Sequence, residues 1–354
     1  MKILHTADLH LKEYEDERWK SLKQIIEVGK QENIELLLIS GDLFDKDMDS
    51  EKLRPKIREI FSNNKFRIII LPGNHDSDSY KNGLYFGENV TVLNNPDLSL
   101  EFNNVCIWGF PFEPLSSEDI LSKIRLFSSK LDNTKINILM IHGELLDAFY
   151  SRDDFGDEGK ERYMPIKLSY FKSCGFDYVL AGHFHTNFNN YEFEKNKYFV
   201  YPGSPVSITK KEVKQRKVNV FEVGQPPHDY LIDTFHYVEI KINLNPFDDT
   251  NPVELVKKEI EKAHKNAKMI FTITGYINSD SIHMSEQEIV QQLKKLEGYN
   301  AEFPNLEFID IKRILEDSLF DKFYKKVKAK NYPPEKEKEL LDFAIRAMME
   351  VVKK

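Results

Sequence analysis

From Met1 to about Val223, short apolar runs alternate with amphipathic stretches. Two of these stretches repeat apolar residues at helical spacing, Trp19, Leu22, Ile26 and Gly29 in the first and Leu53, Ile57, Ile60 and Phe61 in the second. Such alternation is typical of strands and helices arranged in layers. We therefore predict an α/β fold with βαβ units around a largely buried sheet. The predicted strands are Lys2 to Thr6, Glu35 to Ser40, Arg67 to Leu71, Val105 to Gly109, Ile136 to Ile141 and Tyr178 to Ala181.

A change in pattern follows at residues 224–233, which read GQPPHDYLID. Two prolines and several turn formers predict a linker between domains there. The catalytic domain is then 1–223, and a small α+β domain at 234–311 follows the linker. Its predicted order is strand, helix, strand, helix and strand, at Tyr237 to Ile242, Val253 to Lys265, Ile270 to Ile277, Glu286 to Leu296 and Leu306 to Ile311.

The last segment, 312–354, reads as two amphipathic helices separated by Asn331 to Pro334. Each helix carries an apolar stripe that must be covered, either by the small domain or by a partner. The first stripe is Leu315, Leu319, Phe323 and Val327, and the second is Leu340, Ala344, Ala347, Met348 and Val351. We expect a docking helix-loop-helix that the catalytic fold does not need.

Composition narrows the class of protein. The chain has 354 residues, of which 31% are charged and 41% hydrophobic, as in a folded globular protein. No apolar run reaches the length of a signal core or a membrane span, so we expect a cytoplasmic protein with no membrane contact. The net charge of −8 argues against a surface that is basic all over, but it does not exclude DNA, because metal-binding carboxylates contribute negative charge. Cys106 and Cys174 are read as buried free thiols.

Five of the six apolar runs end in polar side chains that can bind metals. In layered α/β folds, sites form beyond the carboxyl ends of strands, so these side chains should converge. Asp, Asn and His suit divalent ions such as manganese, iron or zinc, and two such ions about 3.5–4 Å apart can clamp a phosphoryl group. The pattern therefore predicts a two-metal phosphoesterase. The residues are Asp8, His10, Asp42, Asn74, His75, Asp76, His142, His183 and His185.

The amino-acid sequence of these segments resembles that of the calcineurin-like metallophosphoesterase superfamily. Within the superfamily, the sequence is most similar to the SbcD-type DNA repair exonucleases. The similar segments are LHTADLHL, LLLISGDLFD, IILPGNHD, FDYVLAGHFH and VYPGSP, all within about residues 1–223. The resemblance implies a layered core of sheets flanked by helices, a smaller α+β capping domain and a helical C-terminal tail.

Carried over residue by residue, the resemblance also implies roles in the site. The first metal would be bound by Asp8, His10 and His185, and the second would be bound by Asn74, His142 and His183. Asp42 would bridge the two metals. Manganese is the expected ion. His75 would face the scissile phosphate and stabilise charge or protonate the leaving oxygen. Asp76 would orient His75 or its turn.

One position departs from the pattern of related nucleases. Many of them carry His three residues after the bridging Asp, where this chain has Asp45. A carboxylate cannot cap a phosphate as an imidazolium can, so the end-processing chemistry stays open.

Two basic runs are candidate DNA contacts. The first, KKEVKQRK, has Lys210, Lys211, Lys214, Arg216 and Lys217 against Glu212, and reads either as a solvated hairpin or as a phosphate-gripping edge. The second, Lys322, Lys325, Lys326, Lys328 and Lys330, reads either as DNA-binding or as side chains extending over an apolar helix face.

The preferred function is a metal-dependent DNA nuclease, exonuclease or endonuclease, for DNA repair and recombination. The resemblance implies an SbcC-like coiled-coil ATPase as partner, bound through the C-terminal helices, and leaves a homodimer open. A phosphatase for small molecules or phosphoproteins is one alternative, although phosphoprotein phosphatases of the superfamily typically read Gly-Asn-His-Glu followed by Arg, where this chain has Asp76 and Ser77. A scaffold without catalysis is the other.

Overall fold

A computed structural model describes residues 1–12, 16–46, 48–80, 85–147, 164–247, 250–298 and 300–352, with side chains described up to residue 349. The chain forms two compact units, Met1–Tyr237 and Val238–Lys354. Within the described residues, no helix is long and apolar enough to cross a membrane.

The first unit contains two six-stranded sheets. One sheet has the order β12-β11-β1-β2-β3-β4, in which β1 to β4 run parallel and β11 and β12 are antiparallel additions. Its strands are β1 (Lys2–Thr6), β2 (Leu36–Ser40), β3 (Arg67–Leu71), β4 (Val90–Val92), β11 (Lys217–Glu222) and β12 (His228–Leu231).

The other sheet has the order β5-β6-β7-β8-β10-β9, in which β6, β7, β8 and β10 run parallel. Apart from β4, which is only partly buried, the parallel strands of both sheets are almost wholly buried, as expected when both faces of a sheet are covered. The strands are β5 (Ser99–Phe102), β6 (Val105–Phe110), β7 (Ile136–His142), β8 (Tyr178–Gly182), β9 (Asn189–Glu194) and β10 (Lys197–Tyr201).

Three apolar clusters make this unit a four-layer structure. Leu36 and Leu38 of one sheet and Ile138 and Met140 of the other belong to the cluster between the sheets. A second cluster joins the outer face of the first sheet to α1 (Glu17–Gln31) and α2 (Ser50–Phe61), and a third joins the other sheet to α3 (Ser117–Lys130). Sheets flanked by helices are the predicted α/β architecture, and this prediction is confirmed.

The structure differs from the predicted linker at 224–233. This segment contains β12, which pairs antiparallel with β11 from Lys217 opposite Leu231 to Val220 opposite His228. Pro226 and Pro227 precede an edge strand, where a missing N–H is tolerated. The division between the units falls later in the chain, after Tyr237.

The second unit is built on a three-stranded sheet of order β13-β14-β15, with β14 and β15 parallel. Its apolar cluster lies between this sheet and helices α4 and α6. The elements are β13 (His236–Leu244), α4 (Pro252–Lys262), β14 (Ala267–Ile277), α5 (Ser279–Ile282), α6 (Glu286–Lys294) and β15 (Ala301–Asp310).

The chain ends in α7 (Lys312–Leu315), α8 (Ser318–Ala329) and α9 (Pro334–Val352), which pack with Phe247 and Tyr276 of the same unit. Most of the two predicted stripes is covered in this way, since Val327 is buried and Leu315, Phe323, Leu340, Ala344 and Met348 are partly buried against the same cluster. Leu319 and Ala347 are exposed, and the side chain of Val351 lies outside the described part.

Candidate metal centre

Five strands of the first unit deliver the predicted side chains to one place. Strands β1, β2 and β3 of one sheet are followed by Asp8 and His10, by Asp42, and by Asn74. Strand β7 of the other sheet ends at His142, and β8 is followed by His183 and His185. The site therefore lies at the carboxyl ends of parallel strands from both sheets.

The backbone at the site is held in an unusual conformation. Asp8, His10, Asp42 and His183 have φ values of 55°, 48°, 52° and 99°, in the region that side chains other than glycine rarely adopt. Each such residue costs on the order of 1–3 kcal/mol and persists only where its surroundings enforce it. Hydrogen bonds from His10 N to Asp42 O (2.9 Å) and from Asp8 N to Gly41 O (3.1 Å) hold two of these loops together.

Glycine is required beside two of the site residues. A Cβ at Gly41 would lie 2.0 Å from His142 Nδ1, and one at Gly73 would lie 2.1 Å from Asp42 Oδ1. Gly41 also has φ +95°, which favours glycine. These positions let the backbone approach the site side chains closely.

Asp8, His10 and His185 form one group of donor atoms. His10 Nε2 lies 3.3 Å from His185 Nε2, and His185 Nε2 lies 3.9 Å from Asp8 Oδ1. One ligand atom from each of the three residues falls within 4.8 Å of the others, and all three side chains are buried. This spacing suits three ligands of one cation.

Asp8, Asp42 and His142 form a second such group. His142 Nε2 lies 3.2 Å from Asp42 Oδ2 and 2.8 Å from Asn74 Oδ1, while its Nδ1 lies 2.9 Å from Ser40 O. His183 donates its backbone N–H to Asp8 at 2.9 Å, and its ring centre is 5.4 Å from that of His142.

Asp42 links the two groups. Its Oδ2 is 3.7 Å from His10 Nε2 as well as 3.2 Å from His142 Nε2, and its Oδ1 accepts from the His75 N–H at 3.0 Å. The seven predicted ligands therefore lie in one cluster, in which Asp42 contacts both His10 and His142.

The electrostatics of this cluster favour a cation. Burial and the nearby carboxylate of Asp42 raise the pKa of Asp8, although the surrounding imidazoles oppose that shift. Burial would raise the pKa of Asp42 too, but His142 and His10 hold it far below its usual range. Burial disfavours a charged His142, yet Asp42 and Asp8 raise its pKa to about 10. Two buried carboxylates thus stabilise positive charge between them.

His75 lies beside this cluster with Asp45. His75 Nδ1 is 3.3 Å from Asp45 Oδ1, and His10 Nδ1 is 3.7 Å from the same oxygen. Partial burial would raise the pKa of Asp45, but the two imidazoles hold it below its ordinary range. Asp45 is therefore an ionised neighbour of His75, a relation that sequence spacing did not reveal.

Asp76 is buried and ties two site loops together. It accepts from Gly73 N at 2.7 Å, from Phe44 N at 3.2 Å and from Tyr80 OH at 3.0 Å. Burial and the nearby Asp42 raise its pKa to about 6. These three hydrogen bonds hold the turn that carries His75. Orienting this turn is one of the two roles expected of Asp76.

The first basic run needs a correction. Lys210, Lys211 and Lys214 are exposed, but Arg216 is only 3% exposed and its guanidinium is bonded to backbone carbonyl oxygens, so it is not available to grip a phosphate. Lys217 pairs with Asp229 at 2.5 Å. Glu212 is also fully buried. A run of charges normally marks a solvated surface, so the sequence alone does not reveal that Glu212 and Arg216 are buried.

The second basic run is exposed throughout. Lys325 and Lys328 pair with Asp321 and Glu337 at 2.7 and 2.5 Å, and Lys328 also lies over the Tyr324 ring. These contacts fit solvated lysines on a helix surface.

The fold and the site define the class of protein. Residues 1–187, more than half of the chain, match the family model for calcineurin-like phosphoesterases. The chain belongs to this family, and the expectation drawn from its motifs is confirmed. This membership and the candidate metal-ligand groups described above support a metal-dependent phosphoesterase.

Among individual proteins, the chain is similar to the SbcD subunit of the nuclease SbcCD from Staphylococcus saprophyticus. The two are 22% identical over 92% of this chain and 93% of that protein. The crystal structure of TT1561 from Thermus thermophilus matches at 11% identity and TM-score 0.44, over 65% of this chain and 98% of that one. A dimetal phosphatase from Danio rerio matches at 11% identity and TM-score 0.40, over 62% and 91%.

Proposed function

We propose that the chain is a two-metal DNA nuclease. The observation that carries the proposal is the position of the Asp42 carboxylate, whose Oδ2 lies 3.7 Å from His10 Nε2 of one group and 3.2 Å from His142 Nε2 of the other. The similarity to a nuclease subunit over nearly the whole chain supports nucleic acid as the substrate.

The donor set fits two divalent cations. Asp8, His10 and His185 would hold one, Asn74, His142 and His183 the other, and Asp42 would bridge them. Mixed carboxylate, amide and imidazole donors suit manganese, which we take as the native ion. When bound, the ions polarise a phosphoryl oxygen and make water a nucleophile at neutral pH.

The protein's own contribution to the chemistry centres on His75. Asp45, 3.3 Å from His75 Nδ1, favours the protonated imidazole and holds its proton on that nitrogen. His75 Nε2 is then the atom that gives a proton to the leaving oxygen or stabilises its charge. Asp45 thereby serves His75 instead of capping a phosphate.

DNA binding is the second part of the proposal. Lys210, Lys211 and Lys214 are exposed on the loop between β10 and β11, so they are the candidate phosphate contacts. Arg216 and Lys217 are not part of this surface.

The partner proposed for the C-terminal helices is an SbcC-like coiled-coil ATPase. Leu319 and Phe343 on α8 and α9 are 67% and 73% exposed, the two largest exposed fractions among the described large apolar side chains. These two residues are the proposed anchors, while the rest of the helical stripes is packed within the second unit. A homodimer is a further part of the proposal.

The deciding experiment compares manganese-dependent cleavage of labelled single-stranded DNA, double-stranded DNA and bis-p-nitrophenyl phosphate. We expect cleavage of DNA and of the small diester, with no activity in EDTA. Hydrolysis confined to phosphomonoesters would contradict the nuclease and favour a phosphatase. A manganese-loaded protein that is inert on every substrate would indicate a scaffold.

A further inference from the structure

The loop that follows the metal centre contains a buried carboxylate outside the seven-residue set. Glu212 accepts hydrogen bonds from Ser204 Oγ (2.8 Å) and Ile208 N (2.8 Å) at Oε2, and from Thr209 N (3.2 Å) and Thr209 Oγ1 (3.1 Å) at Oε1. The side chain is wholly shielded from solvent. A buried charge with so many donors is held in one orientation.

The same oxygen that accepts from Thr209 faces the metal centre. Glu212 Oε1 lies 3.6 Å from His185 Nδ1. On the other side of the ring, His185 Nε2 lies 3.3 Å from His10 Nε2 and 3.9 Å from Asp8 Oδ1. The imidazole of His185 therefore stands between Glu212 and the donor group.

Arg216 fixes the backbone of the same histidine. Its Nη2 donates to His185 O, its Nη1 donates to Thr186 O at 3.0 Å, and its Nε donates to Ser204 O at 2.9 Å. These three carbonyl groups belong to the segment between β8 and β9 and the turn after β10, so the guanidinium joins two loops beside the site. The charge of Arg216 also compensates the buried carboxylate.

We propose that Glu212 is a positioning residue that keeps the proton of His185 on Nδ1 and directs the Nε2 lone pair toward Asp8 and His10, while Arg216 holds the backbone carbonyl of His185. This inference rests on the proposed role of His185 as a metal ligand. A carboxylate within ion-pair distance of the second nitrogen of a histidine ligand favours one tautomer and one ring orientation, and it makes the ligating nitrogen more basic.

The test compares Glu212→Gln with Ser207→Ala in the full chain. Glutamine keeps an oxygen for one of the two backbone donors, Ile208 N or Thr209 N, and has no charge to hold a proton on His185. Manganese affinity, measured by calorimetric titration, should fall about 10–100-fold for one ion in Glu212→Gln. Ser207 Oγ donates to the backbone oxygen of Glu212 in the same loop, so Ser207→Ala disturbs the loop without touching the carboxylate. It should leave manganese affinity unchanged, and unchanged affinity in Glu212→Gln would overturn the proposal.

A second measurement needs no change at Glu212. In wild-type protein with ¹⁵N-labelled histidine, long-range ¹H–¹⁵N spectra should show a proton on Nδ1 of His185, both metal-free and with diamagnetic zinc. His185→Gln assigns the signal by its disappearance. A proton on Nε2 alone would overturn the proposal even if Glu212→Gln does not fold. A protein that binds manganese without cleaving DNA would contradict the nuclease function, while the affinity and tautomer results would still decide the role of Glu212.

Discussion

The two units are stabilised by different chemistry. In the first unit the interior contains Asp8, Asp42, Asp76, Glu212 and Arg216 together with several buried histidines. In the described part of the second unit, no charged or polar side chain is buried to the same degree, and the interior consists of two apolar clusters. Ion pairs of this unit, such as Lys257 with Glu254 at 2.8 Å, lie on the surface.

This difference indicates that the reactive groups lie in the first unit, whereas the second unit is stabilised by apolar packing. Buried charges are unfavourable unless paired, hydrogen-bonded or bound to metal, so they persist where chemistry needs them. Apolar packing stabilises a unit without providing a reactive group. We therefore expect substitutions of the buried charged residues of the first unit to change catalysis and metal binding, and substitutions in the apolar interior of the second unit to change stability alone.

The largest effect is expected for Asp42→Asn. Loss of the shared carboxylate should abolish binding of two ions, and because metal assistance is worth several kcal/mol, hydrolysis of a small diester should fall at least about 10³-fold. Metal analysis and steady-state kinetics measure both changes. Asp177→Asn is the matched control, since Asp177 accepts from Asn137 N at 2.8 Å outside the site. A wild-type stoichiometry of one ion, unaffected by Asp42→Asn, would refute the two-metal scheme.

The next effect separates chemistry from metal binding. His75→Gln should lower turnover by about 10²–10⁴-fold, because a positioned acid is lost. Asp45→Asn, which acts through His75, should cost less, about 10–100-fold. Metal content, determined by mass spectrometry, should stay at the wild-type value in His75→Gln, as in the exposed-histidine control His228→Gln. Loss of an ion in His75→Gln would show that His75 is a ligand.

In the second unit we expect the opposite pattern from Phe320→Ala. Phe320 is buried and stacks on Phe247 with ring centres 6.4 Å apart. Truncation should lower the free energy of unfolding of this unit by about 3–5 kcal/mol. Hydrolysis of the small diester should stay unchanged at temperatures below the transition. The exposed Phe343→Ala provides the control in thermal unfolding, and a fall in diester hydrolysis by Phe320→Ala would break the division between the units.

The smallest effect concerns a buried histidine outside the site. Burial lowers the pKa of His5 from 6.5 to about 3, so the folded state keeps it neutral while the unfolded state gains a proton below pH 6.5. Stability from this source is present above pH 6.5 and is lost as the pH falls toward 3. When the pH is lowered from 7.5 to 5.5, the free energy of unfolding should fall by about 1 kcal/mol more in wild type than in His5→Leu. Urea unfolding at both pH values measures this difference, and parallel losses in the two proteins would contradict the assignment.

Much of the site could be predicted because its information is local. Each donor follows an apolar run directly, and β1 and β3 match their predicted bounds of Lys2–Thr6 and Arg67–Leu71. Short strands such as β4 and β12 were missed because three or four residues carry too little periodicity, and because Pro226 and Pro227 resemble a linker. Helix α3 was not predicted either, although Ile120, Ile124 and Phe127 follow helical spacing.

The sequence by itself determined which donor types stand at the strand ends and in what order, and these identities fix the class of chemistry. Only the tertiary structure decided that Arg216 and Glu212 are interior side chains, that Asp45 faces His75, and that the first unit continues to Tyr237. The physical reason is that charge is a property of a residue, whereas burial is a property of its neighbours. The carbonyl groups that accept from Arg216 lie 12 to 31 positions earlier in the chain, beyond the reach of any local pattern.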